Sequence, residues 1–125
     1  MPSGKQWMKL EMTDKMIPLQ TQVQFENLLK PIDENGKPAS ARVVVYFTAS
    51  WCGACKRLDF PALLSSTPQD IVWYKCDVDE NKYTLGYCGL KSIPSFAVIK
   101  NGKFLGKFSS SDTMTVFDTL QETFE

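Results

Sequence analysis

Alternating strand-like and helix-like stretches predict an α/β chain with a central mixed β-sheet of four to five strands, flanked by about four helices. Two observations carry this expectation. Through residue 89, short β-forming runs are each followed by a helix-compatible segment, in the order β-α-β-α-β-α that gives parallel strands joined by helical crossovers. Beyond that point Asn101-Gly102 separates Ser95–Lys100 from residues 103–108. Both turn residues tolerate positive φ, so this stretch predicts a tight hairpin that adds antiparallel strands.

Taken in order, residues 17–20 form a short extended segment. Thr21-Gln22-Val23-Gln24 carries a capping-box pattern that lets a helix start at Gln22, with Phe25, Leu28 and Leu29 on one face. Pro31 and the turn-rich residues 33–38 end it in a surface loop, because proline removes a donor and glycine permits positive φ. Arg42–Thr48 is a nearly continuous apolar strand, as expected where both faces of a sheet are covered. A helix from Cys52 carries Leu58, Leu63 and Leu64, is kinked at Pro61 and closes at Thr67-Pro68. Residues 71–78 form the next strand. Asp79 then caps a short helix through Tyr83 and Leu85 that runs out at Gly86 and Gly89. After the hairpin, Met114, Phe117, Leu120 and Phe124 recur at spacings of three, three and four, which predicts an amphipathic closing helix.

The 125 residues suit a single domain large enough for its own core. Fourteen basic residues balance fourteen acidic ones, so no net charge recruits nucleic acid or an anionic membrane. Residues 1–16 mix charges with single apolar residues, too polar for a signal peptide or for the ~20 apolar residues of a membrane span, and are expected to be an N-terminal tail or extension. A cytoplasmic protein is expected, and in that reducing compartment a lone Cys-x-x-Cys serves catalysis or metal binding rather than a structural disulfide.

Cys52-Gly53-Ala54-Cys55 lies where the strand gives way to the helix. With a helix starting at Cys52, the two sulfurs share one face and can close a disulfide. A thiol attacks as its thiolate, which unpaired N–H groups at a helix start stabilise, so Cys52 is the expected nucleophile. Cys55, one turn further in and less exposed, is the expected resolving thiol. Gly53 lets the backbone turn tightly, and Trp51 shields the sulfur and offers an apolar contact to a partner.

Residues 43–56, from Val43-Val44-Val45-Tyr46-Phe47 through Trp51-Cys52-Gly53-Ala54-Cys55-Lys56, resemble the thioredoxin family. So do Asp77-Val78-Asp79-Glu80-Asn81, residues 89–96 with Ser92-Ile93-Pro94-Ser95, and residues 100–109. In order and spacing the resemblance covers residues 17 to 124. It implies the thioredoxin fold in a single domain of residues 17–125, a cis Ile93–Pro94 peptide beside the Cys52 sulfur, and an Ile93 backbone that pairs with a substrate strand. Trp51, Gly53, Ala54, Ile93, Pro94 and Ser110 would then bind substrate.

Three positions depart from the family. Tyr46 stands where the family usually has a buried Asp that helps deprotonate the resolving thiol, and a phenol is a poor base at neutral pH. Asp59, four residues beyond Cys55 on the same helical face, is the candidate proton acceptor in its place. Ala54 replaces the familiar proline and restores an N–H that can donate to the Cys52 thiolate. A hydrogen bond to a charged group is worth ~1.5–3 kcal/mol and ~30 mV corresponds to ~1.4 kcal/mol, so a milder reductant is expected. Ser110 replaces a glycine that borders the substrate groove and narrows it.

Cys76 is expected to be a packed small hydrophobe on the side of Tyr74 and Val78, and Cys88 a passive, partly exposed thiol. No histidine is present, which removes Cys-His catalysis and leaves zinc without its usual ligands, so no metal or other cofactor is expected. Without a dinucleotide fingerprint, electrons must come from a thioredoxin-reductase-like protein or a small thiol. Ser92-Ile93-Pro94 and a single Gly106 argue against the glutathione groove of glutaredoxins. The leading expectation is a monomeric oxidoreductase that reduces disulfide-bonded proteins through Cys52 and Cys55. A thioredoxin-like binding module with weak redox activity is the alternative.

Overall fold

The central strand β2 (Arg42–Thr48) is buried along almost its whole length, and in the computed structural model it has a neighbour on each side. The structure describes residues 16–32, 36 and 42–125. Strands β1 (Ile17–Pro18), β2, β3 (Val72–Asp77), β4 (Ser95–Lys100) and β5 (Lys103–Ser109) form one sheet in the order β1-β3-β2-β4-β5. The first three are mutually parallel, whereas β4 runs antiparallel to β2 and β5 antiparallel to β4. Helices α1 (Gln22–Leu28), α2 (Phe60–Ser66), α3 (Thr84–Tyr87) and α4 (Thr113–Phe124) join them, with a short 3-10 turn at Ala54–Arg57. This is the expected mixed α/β architecture.

Alternation along β2 sorts its side chains onto two cores. Val44 and Tyr46 pack with Leu63 of α2 and with Val116 and Leu120 of α4, whereas Val43, Val45 and Phe47 pack with Leu19, Phe25, Cys76 and Cys88. Both faces are covered, which explains the unbroken apolar run. Met16, assigned to the tail by sequence, is buried in the first of these cores, while residues 1–15 of that tail lie outside the described residues. Most of the expected 33–38 loop also lies outside them.

Local signals decide the element ends. Thr21 caps α1 through the reciprocal box with Gln24. Gly89, at φ +75°, ends α3 in a Schellman arrangement, with Leu90 N–H donating to the Leu85 carbonyl and Gly89 N–H to that of Gly86. Asn101 and Gly102, at φ +52° and +77°, turn the β4–β5 hairpin.

Two expected elements differ. No single kinked helix runs from Cys52: the 3-10 turn ends at Leu58, whose backbone is extended (φ −74°, ψ 132°), and α2 begins afresh with Asp59 as its cap. In the first turn of a helix the missing N–H of Pro61 costs nothing, whereas a continuous helix would lose a bond there. Asp79 does not cap α3 either. The Asn81 side chain accepts from the Thr84 N–H and hydroxyl at 3.4 and 2.9 Å, and the Asp79 carboxylate is turned towards Trp51.

Candidate active site

Three segments meet at one end of the sheet. The parallel strands β2 and β3 both end there, joined by the Val78 N–H donating to the Thr48 carbonyl at 2.9 Å. The antiparallel strand β4 begins there, because Ser95 lies opposite Phe47. Beyond β2 the chain folds into a turn closed by the Cys52 N–H on the Ala49 carbonyl at 3.1 Å, which sets Cys52 at the head of the 3-10 turn.

Cys52 and Cys55 are joined in a disulfide with their Cα atoms 5.3 Å apart. The sulfur of Cys52 accepts from the Cys55 N–H at 3.1 Å. The donor seen is thus the amide three residues on, the geometry of a side-chain cap, rather than that of Ala54. The expected difference in exposure is absent in this oxidised form, since Cys52 is 4% and Cys55 6% exposed. Gly53 has ordinary helical angles (φ −65°, ψ −38°), so the turn does not depend on glycine, and the space where a Cβ would lie is open.

Trp51 is 66% exposed at the rim of the disulfide, and its indole Nε1 donates to Asp79 Oδ2 at 2.8 Å. Asp79 is presented by a small turn in which its own N–H donates to Asp77 Oδ1 at 2.9 Å. The sequence reading missed this partner, which lies twenty-eight positions away. The Asp77-x-Asp79 spacing signals the turn but not its target.

Tyr46 belongs to the same buried cluster as both active-site cysteines, stacks against Phe96 at 5.4 Å between ring centres and meets the tilted Phe60 ring at 4.6 Å. Burial raises its pKa above the ordinary phenol value, partly offset by a hydrogen bond with Thr48, so it is a neutral packing residue rather than a base. Asp59 does not share a helical face with Cys55, because the extended Leu58 intervenes. Its Oδ1 accepts from the Ala62 N–H at 3.2 Å and its N–H donates to Thr113 Oγ1 at 3.0 Å, tying the start of α2 to that of α4.

The Ile93–Pro94 peptide bond is cis, with Pro94 buried and Ile93 half-buried. The Ser110 hydroxyl accepts from the Asp112 N–H at 3.1 Å. Cys76 is fully buried, as expected, but Cys88 is buried too rather than partly exposed, because both enter the second core. Burial pushes the Cys76 thiol up to about 12, reinforced by the nearby Cys88, Asp77 and Glu80. It pushes that of Cys88 up to about 11 against the pull of the Lys107 ammonium. Neither is therefore a thiolate at neutral pH. Among the described residues no group of three or more Cys, Asp or Glu side chains is placed to hold a metal ion.

The thioredoxin family model matches residues 19–122. The chain belongs to the thioredoxin family. A thioredoxin from Geodia cydonium is 35% identical over 92 residues, covering 72% of this chain and 80% of that protein, and one from Ictalurus punctatus is 38% identical over 77 residues, covering 59% and 72%. The oxidised form of mitochondrial thioredoxin 3 from Saccharomyces cerevisiae superposes with a TM-score of 0.73 at 25% identity, covering 89% of this chain and 98% of the other. The thioredoxin of Fasciola hepatica superposes at 0.68 with 26% identity, covering 86% and 99%. Thioredoxin family membership and the Cys52–Cys55 disulfide together make this a thiol-disulfide oxidoreductase. Among the described residues no helix is long and apolar enough to cross a membrane.

Proposed function

We propose that the chain is a monomeric reductase of protein disulfides. The Cys52 thiolate attacks one sulfur of a substrate disulfide, and the other substrate sulfur leaves and takes a proton. Deprotonated Cys55 then attacks Cys52 Sγ, releasing the second substrate thiol and leaving the Cys52–Cys55 disulfide. A thioredoxin-reductase-like protein or a small thiol returns two electrons and two protons. The observation that carries this reading is that disulfide, whose Cys52 sulfur accepts the Cys55 N–H. The same bond favours Cys52 as the attacking group, since a donor that stabilises its thiolate lowers its pKa.

Trp51, held by Asp79, forms one wall of the substrate site with Gly53, above which the space is open, and Ala54. Ile93, Pro94 and Ser110 form the other. In the disulfide the donor to Cys52 Sγ is the Cys55 N–H, which a Cys-Gly-Pro-Cys relative also has. The Ala54 N–H, which proline would lack, offers a further donor to the Cys52 thiolate once the disulfide opens, and on that ground we place the potential tens of millivolts above that of such a relative. Redox titration against glutathione tests this, and an equal or more negative potential rejects it. A cytosolic location is part of the proposal and is read by cell fractionation, since one relative is named as mitochondrial.

Reduction of insulin with dithiothreitol as donor tests the whole reading. The chain should accelerate it, Cys52→Ser should abolish the acceleration, and Cys55→Ser should trap a covalent complex with substrate. Activity no higher than that of Cys52→Ser would favour a binding module. That second reading draws on Tyr46, a neutral residue in the cluster around the two sulfurs.

A further inference from the structure

Three serine hydroxyls link the segment before β4 to the end of β5. Ser92 Oγ donates to Ser109 Oγ at 3.4 Å, Ser95 Oγ and Ser109 Oγ are 2.6 Å apart, and Ser95 Oγ donates to the Ser92 carbonyl. A hydroxyl has one proton to give. The Ser95 proton is committed to the Ser92 carbonyl, so Ser109 must donate to Ser95, and Ser109 Oγ in turn accepts from Ser92. The hydroxyls therefore run in one direction, Ser92 to Ser109 to Ser95 and back to the Ser92 main chain, with every proton used.

The segment closed by this ring is Ser92-Ile93-Pro94-Ser95. Ser95 is wholly buried and Ser109 is its opposite number on β5, so the ring is anchored in the sheet, while Ser92 is exposed. Inside the ring, Ile93 makes no main-chain hydrogen bond to another main-chain group of the described residues. Its N–H and C=O are thus left out of the main-chain pairing among the described residues, next to a Ser92 carbonyl and three hydroxyls that are paired within the ring. Such groups suit an extended peptide, which recognises a chain edge through its backbone.

We propose that Ser92, Ser95 and Ser109 are positioning residues that hold the Ile93 main chain ready for the peptide strand flanking a substrate disulfide, and so set the affinity for polypeptide over small disulfides. The inference rests on the disulfide-reductase reading. Fixing the segment beforehand removes part of the ordering cost that a peptide would otherwise meet on binding. Among the described residues no hydrogen bond joins the ring to either sulfur, so its effect belongs in substrate affinity rather than in the exchange step.

The test compares a disulfide-bonded peptide with the small aryl disulfide DTNB, which has no backbone to pair. Ser95→Ala should raise KM for the peptide roughly three- to tenfold, the scale of one lost hydrogen bond, with kcat and the DTNB rate changed less than twofold. Ser95→Thr keeps the hydroxyl and should restore KM. Ser109→Ala, at an exposed position on an edge strand, should give a similar rise and serves should Ser95→Ala fail to fold. An unchanged peptide KM in Ser109→Ala, or equal losses with peptide and DTNB, would overturn the ring while leaving the reductase reading intact. A wild-type chain that reduces neither disulfide would overturn both.

Discussion

Asp59 shows how a side chain's role follows from the backbone that carries it. By spacing alone it lies one helical turn beyond Cys55, within reach of a proton. The extended Leu58 cancels that spacing, and the carboxylate becomes the cap of α2. Asn caps as well as Asp does, but it cannot take a proton. Asp59→Asn should therefore leave both the melting temperature and the pH profile of mixed-disulfide resolution unchanged, whereas Asp59→Ala should destabilise the fold by about 1 kcal/mol. A resolution rate that falls in Asp59→Asn with stability intact would restore the carboxylate as proton acceptor. The Cys-x-x-Cys pair was legible because its chemistry depends on spacing within one turn. The Trp51–Asp79 bond and the serine ring were not, since their partners are seventeen to twenty-eight positions apart, or fourteen across the β4–β5 register, and only the assembled sheet brings them together.

Several elements set by short-range rules were read correctly, but the Asp79 cap was not, because its carboxylate is taken by Trp51, and the elements set by competition were not. The Thr21 box, the Asn101-Gly102 turn and the helix from Thr113 each rest on residues within about one turn of one another. The stretch after Cys52 offered two solutions, a kinked helix or a fresh start at Pro61, and periodicity cannot separate them. The two glycines of the hairpin and the active-site turn invite a direct comparison. Gly102 combines φ +77° with a backbone approach in which an added Cβ would lie 2.6 Å from the Lys30 carbonyl carbon. Gly53 is helical with open space around it. Gly102→Ala should lower the unfolding free energy by more than ~1 kcal/mol, and Gly53→Ala should leave it unchanged or raise it by ~0.4–1 kcal/mol. Urea titration of the two variants checks the contrast, which fails should both lose stability alike.

The whole molecule carries a pH dependence that originates in the second core and not in the one that holds the disulfide. The thiols of Cys76 and Cys88 rise from an ordinary value of 9.0 to about 12 and about 11 on folding. A folded-state pKa above the unfolded one favours the protonated thiol, so the fold is fully supported below pH 9 and loses support as pH climbs towards 11 and 12. Under reducing conditions the urea midpoint should decline above pH 9, and Cys76→Ala should show a shallower decline. Equal slopes in the two proteins would mean that Cys76 does not control alkaline stability.

The antiparallel insertion of β4 gives the sheet two ends with different duties. Phe47 and Ser95 meet at the end that carries the disulfide, whereas Arg42 and Lys100 meet at the opposite end, where the hairpin turns. Lys103, exposed beside that turn, points the reactive face outward whenever it is the point of attachment. A chain immobilised through a single cysteine-free linkage at Lys103 would keep its disulfide end open to solution, free to exchange with thiols and disulfides flowing past a surface.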